Sequence, residues 1–221
     1  MNVSWFGHSY FLLEFNNKKG SDSVKVAIDP FSEEIGLKPA SVVADLLLIS
    51  HNHYDHNNTR IIKGSPFVVN EPGEYEIKDV FIKAIPSFHD NQEGKERGTN
   101  LIFSVFSENL RLCHLGDLGQ SRLYEEQLEA LGTVDILMIP VGGVYTLEPK
   151  DAKEVINQLE PKIVIPMHYA LPGLKIKLGS IDDFLKIVNR PKPEPLKKLK
   201  IQDKDLPPTD GFEVVLLQPV S

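Results

Sequence analysis

The apolar run Asp45-Leu-Leu-Leu-Ile-Ser50 passes without a break into His51-Asn-His53-Tyr-Asp55-His56. Three imidazoles and one carboxylate thus fall within six positions, directly behind a segment that reads as a buried strand ending at one edge of a sheet. A solvated turn explains the polarity of such a stretch but not its imidazoles, and with 7 His in 221 residues chance is a poor rival. The pattern is that of a metal site. Such sites draw ligands from separate segments, and three further candidates lie just beyond apolar runs. His89 follows Val80 to Ile85, Asp117 follows Leu110 to Leu115, and His168 follows Lys162 to Pro166. Together these positions account for five of the 7 histidines, as expected of a sheet presenting ligands from its strand ends.

The rest of the chain fits that picture. Residues 3–6, 10–15 and 24–28 alternate like an antiparallel meander, with Asn16, Asn17 and Gly20 turning the last two. Further strands are predicted at 67–70, 80–85, 101–106, 110–115, 135–140, 162–166 and 212–217, and the polar stretch Asn57 to Ile62 could begin a helix. Helical spacing shows in Leu123, Leu128 and Leu131 before Gly132, and in Ala152, Val155, Ile156 and Leu159 before Pro161. A third helix is expected over 181–188, followed by the stiff connector Arg190-Pro-Lys-Pro-Glu-Pro195. Lys197, Lys198 and Lys200 alternate with Leu196, Leu199 and Ile201, the pattern of a solvated strand face. Strands first, then strand and helix in alternation, suggest two packed sheets with helices outside.

Composition sets the outer limits. The length suits one layered domain over 1–221, and 41% hydrophobic with 25% charged residues is ordinary for a soluble protein. A net charge of −7 opposes attraction to nucleic acid or an anionic membrane, so the expected partner is a small-molecule substrate, and a homo-oligomer stays open. Met1 to Trp5 shows no export signal, which makes a cytoplasmic location the expectation. The single cysteine, Cys113, reads as a buried packing residue in a strand.

The ordered set His51-x-His53-x-Asp55-His56, His89, Asp117 and His168 resembles the five-motif signature of the metallo-β-lactamase fold superfamily, with Asp29 in Ile-Asp-Pro30 as its first motif. The likeness runs from residue 3 to roughly residue 170. It implies an α/β fold, a four-layer αββα sandwich of two mixed β-sheets flanked by helices. Trp5-Phe-Gly-His8-Ser, Asp29-Pro-Phe31, Gly116-Asp117, Pro140-Val-Gly-Gly143 and Pro166-Met-His-Tyr169 look like the branch of ascorbate-6-phosphate lactonase-like hydrolases and related metal-dependent hydrolases.

Carried over by position, the resemblance implies that His51, His53 and His89 hold one metal ion, that Asp55, His56 and His168 hold another, and that Asp117 bridges them. Asp55 and Asp117 are then the carboxylates nearest the chemistry. This donor set admits zinc first, manganese second and iron third. Two such cations can share a water, lower its pKa from about 16 to about 7, and present the resulting hydroxide to an ester, lactone or phosphodiester. No Gly-x-Ser-x-Gly elbow and no phosphate-binding Gly-x4-Gly-Lys loop competes with this reading. The alternatives are a non-catalytic metal-binding protein of the same fold and a mononuclear iron persulfide dioxygenase. Asp29 is expected to orient the histidine loop. His8, His114, Asn100 and Tyr169 are candidates for a place behind the ligands or facing substrate. The loops 31–41, 90–98 and 171–179 carry no readable substrate code, and 90–98 could be a flap or a solvated loop.

Overall fold

The computed structural model describes residues 1–16, 23–208 and 211–220; Asn17 and Gly20 of the expected first hairpin turn lie outside them. In chain order the strands of the first half are β1 (Asn2–Trp5), β2 (Phe11–Phe15), β3 (Val24–Ile28), β4 (Val42–Val43), β5 (Leu46–Leu48), β6 (Ile62–Lys63) and β7 (Phe67–Val69). The second half supplies β8 (Gly73–Ile77), β9 (Val80–Phe88), β10 (Thr99–Ser107), β11 (Leu110–His114), β12 (Ile136–Pro140), β13 (Ile163–Met167), β14 (Leu199–Lys200) and β15 (Glu213–Val214). Three α-helices follow the strands of the second sheet: α1 (Glu125–Leu131), α2 (Pro149–Leu159) and α3 (Ile181–Ile187).

One sheet runs in the order β14-β1-β2-β3-β5-β7 and the other β15-β13-β12-β11-β10-β9-β8. Both are mixed in the same way. In the first, β1, β2 and β3 pair antiparallel, and β5 and β7 continue from β3 in parallel. In the second, β8 to β11 pair antiparallel, and β12, β13 and β15 continue in parallel. The inner faces interleave Val3, Trp5, Phe11, Leu13, Val26, Ile28, Leu46 and Leu48 with Ile82, Phe103, Val105 and Leu112 in one large core. Burying each such aliphatic side chain contributes roughly 1.5–3 kcal/mol, so the sandwich rests on this layer.

Local sequence sets the helix ends. Gln127 turns back to accept the Tyr124 N–H at 2.9 Å, Pro149 opens α2 where its missing N–H is harmless, and Ser180 and Asp183 cap α3 reciprocally. The buried faces of α2 and α3, including Ala152, Val155, Ile156, Phe184 and Leu185, join the large core. The outer face of the first sheet is covered differently. Phe6, Tyr10, Leu12, Ala27 and Leu47 pack there against Phe31, Ile35, Ala44 and Ile62. Among the described residues no α-helix contributes to that second cluster, and its cover is loop with two short 3-10 turns, Glu33–Ile35 and Thr59–Ile61. The expected helix start at Asn57 to Ile62 is thus a single turn that passes straight into β6. The expected strand over 212–217 is only two residues long, followed by a single bridge between Leu196 and Leu217. No helix among the described residues is long and apolar enough to cross a membrane.

Candidate metal centre

All seven expected ligands meet where strands of the two sheets end. β5 runs into the histidine loop, β9 into His89, β11 into Asp117 and β13 into His168. The two sheets are stitched together there by the Leu101 N–H, which donates to the Ser50 carbonyl at 2.8 Å.

Three overlapping groups of donor atoms form, each within 4.8 Å: His51, His53 and His89; His8, Asp55, His56 and His168; and His51, His56 and Asp117. Asp117 stands at their centre. Its Oδ2 lies 3.2 Å from His56 Nε2, 3.2 Å from His168 Nε2 and 3.4 Å from His89 Nε2. His51 Nε2, His56 Nε2 and Asp117 Oδ1 are buried without a hydrogen-bond partner. Buried polar atoms are rarely left so, and convergent imidazole nitrogens and carboxylate oxygens are what a divalent cation requires. The residues fit the group that the resemblance implies.

Asp29 sets the histidine loop. Its carboxylate is fully buried and accepts from the Ser50 N–H at 2.7 Å, the Ser50 hydroxyl at 2.7 Å and His56 Nδ1–H at 3.1 Å. With its own proton given to Asp29, the Ser50 oxygen accepts from His51 Nδ1–H at 2.9 Å. Both imidazoles are therefore fixed with Nε2 bare and turned inward, the arrangement that hydrogen-bonded metal ligands adopt. Burial alone would raise the Asp29 carboxyl, but the His56 hydrogen bond and surrounding imidazoles hold it below the usual range.

The charges of the cluster are strongly coupled. Burial would raise Asp117 and Asp55 too, yet the imidazoles of His168 and His56 beside the first, and of His8 and His56 beside the second, push both well down. His56 moves the other way: burial opposes its charge, but Asp117 and Asp29 on either side push it well up. His51 is pushed well down by burial and by His56. Asp29 and Asp117, on either side of His56, make this part of the centre attractive to positive charge.

The remaining sequence candidates separate into distinct roles. His8 is fully buried, its Nε2 is 3.1 Å from Asp55 Oδ2, and its ring lies 4.2 Å from that of His168. Burial and His168 lower it to about 4, so the neutral ring donates Nε2–H to the Asp55 carboxylate. His8, Asp29 and His168 all take left-handed backbone, φ 52°, 48° and 52°, which is uncommon outside glycine and is held here by bonds to neighbouring segments. The His8 carbonyl, for instance, accepts from Trp5 Nε1 at 3.0 Å and from the His168 N–H at 3.1 Å.

Asn100 does not face the cavity. It donates to Ser87 Oγ and the Leu115 carbonyl, and its Oδ1 accepts the Asp117 N–H at 3.0 Å, so it places the backbone of the central carboxylate. A Cβ on Gly116 would stand 2.3 Å from that same Oδ1, which is why the turn before Asp117 has no side chain. His114 is also turned away: it accepts from the Gly116 N–H and donates to the Ser9 carbonyl, each at 3.1 Å. Tyr169 is buried against Trp5, ring centroids 5.4 Å apart, rather than lining the site.

The donors open onto a cavity of about 570 Å³ whose rim includes Glu34, Tyr54, Arg97, Tyr145, Lys175 and Lys177. None of these six was legible as a site residue. The lysines left one faint trace, since Leu174-Lys-Ile-Lys177 alternates, and Leu174 and Ile176 pack into the second apolar cluster while the lysines face out.

A UPF0173 metal-dependent hydrolase of Thermococcus kodakarensis is 28% identical over 199 residues, covering 76% of this chain and 84% of that protein. Another from Carboxydothermus hydrogenoformans is 27% identical and covers 83% and 91%. A Thermotoga maritima crystal structure, described as a candidate Zn-dependent hydrolase of the metallo-β-lactamase superfamily, superposes with a TM-score of 0.77. It is 35% identical and covers 98% of this chain and 99% of its own. The metallo-β-lactamase fold protein YhfI of Bacillus subtilis, 11% identical over 99% of this chain and 97% of its own with a TM-score of 0.63, shares the fold. Residues 2–168 match the model of the beta-lactamase superfamily domain, and the chain, with its two mixed sheets and its histidine–aspartate centre between their ends, belongs to the metallo-β-lactamase superfamily.

Proposed function

We propose that this metal-dependent hydrolase uses two divalent cations, zinc before manganese or iron, to cleave a small ester, lactone or phosphodiester. The observation that carries the reading is the position of Asp117, one carboxylate within 3.4 Å of imidazoles from three different segments. A single oxygen so placed is shared between His89 on one side and His56 and His168 on the other, as a ligand common to two ions would be. When bound, the ions would supply an acidified water and an electrophilic pull on the substrate oxygen.

The chain's own residues prepare that chemistry. Asp29 and Ser50 hold His51 and His56 with their Nε2 atoms inward, Asn100 places Asp117, and His8 fixes Asp55 by donating to it. Asp55 and Asp117 remain ionised at neutral pH, which keeps two negative charges facing the cations. Among the described residues no serine or cysteine lines the cavity, which supports water as the attacking group.

The test is metal content measured together with turnover of bis-p-nitrophenyl phosphate and a lactone panel, on protein purified without chelators. The expected result is about two ions per chain, with turnover that chelator or His53→Ala removes. Full metal occupancy without turnover of any substrate would refute the hydrolase reading, and a single iron without hydrolysis would replace it with oxygen chemistry.

A further inference from the structure

The chain has 31 acidic residues against 24 Lys and Arg, yet the mouth of the cavity has the opposite balance. Arg97, Lys175 and Lys177 line it, against Glu34 as the one carboxylate outside the ligand set. Some lysines elsewhere, such as Lys78, Lys83, Lys192 and Lys198, lie within ion-pair distance of a carboxylate, and others do not. Among the described residues the three cations of the mouth have no such partner. Unpaired cations gathered at one opening of an acidic protein attract anions to that opening.

These cations sit on loops that are already built. The Arg97 guanidinium lies over the Tyr145 ring, 4.7 Å from its centroid, and the Arg97 N–H donates to Asp90 Oδ2 at 2.8 Å. The Lys175 N–H donates to the Ile35 carbonyl at 2.7 Å, and a Cβ on Gly36 would come within 2.3 Å of the Gly173 carbonyl, so the two loops are pressed together. Ile176 packs against the second apolar cluster and lines the cavity between Lys175 and Lys177. The backbone of both loops is thus set before binding, and the Arg97 guanidinium with it, so ordering the mouth costs a ligand mainly the freedom of the two lysine side chains.

Resting on the hydrolase reading, we infer that the mouth selects substrates that carry an oxyanion, carboxylate or phosphate, apart from the bond that is cleaved. Arg97 offers the planar fork that suits such a group, and the two lysines add point charges beside it. Tyr54 and Tyr145 line the same cavity and give it apolar wall.

The experiment compares two esters on the metal-loaded enzyme, p-nitrophenyl acetate and the mono-p-nitrophenyl ester of succinic acid. The expected result is a kcat/KM about tenfold higher for the anionic ester. That preference is expected to disappear in Arg97→Gln/Lys175→Gln/Lys177→Gln, to shrink in Lys175→Gln/Lys177→Gln, and to persist in Lys162→Gln, whose lysine pairs with Asp135 away from the mouth. A preference that is absent in the wild type, or equal in wild type and triple variant, overturns the inference and leaves hydrolysis standing. Calorimetric titration of both proteins with succinate, glycerol 2-phosphate and glycerol gives a readout independent of turnover. Tighter binding of either anion than of glycerol, lost in the triple variant, supports the oxyanion site even if no ester is cleaved, and shows which anion it takes. Equal binding by wild type and variant overturns it.

Discussion

The loop after β5 and the loop after β9 reach the same cavity, and each is tied to a buried aspartate, but the two aspartates grip different atoms. Asp29 takes one backbone N–H, that of Ser50, but otherwise holds side chains, with one carboxylate shared by the Ser50 hydroxyl and His56 and, through Ser50, His51. Asp90 holds only backbone, accepting the N–H groups of Gln92, Gly94, Glu96 and Arg97 at 2.8–2.9 Å. The first sets the direction and protonation of ligand atoms. The second sets the course of a loop that carries Arg97, which is therefore a closed turn around a carboxylate rather than a free flap. The same residue type thus serves chemistry in one loop and shape in the other, according to whether its partners titrate.

Removing a ligand is the strongest way to break this contrast. His56→Ala takes a donor from two of the three overlapping groups and removes one imidazole from each of Asp29 and Asp117, so metal affinity is expected to fall by more than about 100-fold, read by metal content after dialysis. Asp29→Asn keeps the volume but loses the charge that orients His56, and the expected loss is about 10- to 100-fold in metal affinity, read by chelator competition. If both variants retained wild-type affinity, the centre would not lie at these residues. Asp90→Ala should behave otherwise: metal content stays at the wild-type level, while the amides of 92–97 exchange faster and stability falls by about 1–3 kcal/mol. Loss of metal in that variant would erase the distinction between the two loops.

The smallest effect belongs to a third aspartate on the protein's rim. Asp45 accepts from the Lys78 ammonium and from the Lys25 N–H, and although burial would raise it these partners hold it below the ordinary aspartate value of 3.8. A carboxyl lowered on folding stabilises the protein above its unfolded value and ceases to do so as pH falls through the folded one. Asp45→Asn is therefore expected to cost less than about 1 kcal/mol at neutral pH, in keeping with a half-exposed pair. Thermal melts should show that difference narrowing as pH falls below 3.8. A difference independent of pH would assign the effect to the Lys25 N–H alone.

What the sequence disclosed follows from how each residue acts. The ligands were legible because polar residues at the ends of apolar runs are conspicuous, and Leu46 to Leu48 are indeed wholly buried. Asp29 stood out through its place in Ile-Asp-Pro. Asn100 was a candidate for a place behind the ligands or facing substrate, but its role was not legible, because its hold on the Asp117 N–H depends on β10 and β11 lying side by side, a relation between distant segments. β8, Gly-Glu-Tyr-Glu-Ile, was missed since an edge strand with both glutamates exposed has no apolar face strong enough to mark it. The layer over the first sheet was expected to be helical. It is built instead from Phe31, Ile35, Ala44 and Ile62 on irregular chain, whose spacing has no period to read.

The His8 carbonyl that receives both the Trp5 indole and the His168 N–H joins the beginning of this fold to the last of its ligands. During synthesis, His51, His53 and His89 emerge long before β13, so the donors of one group exist together while the other still lacks His168. The amino-terminal turn at His8 lacks the bond from the His168 N–H until that late strand arrives. Completion of the second group is thereby tied to completion of the sandwich, and a half-made chain cannot present the finished centre to the cell.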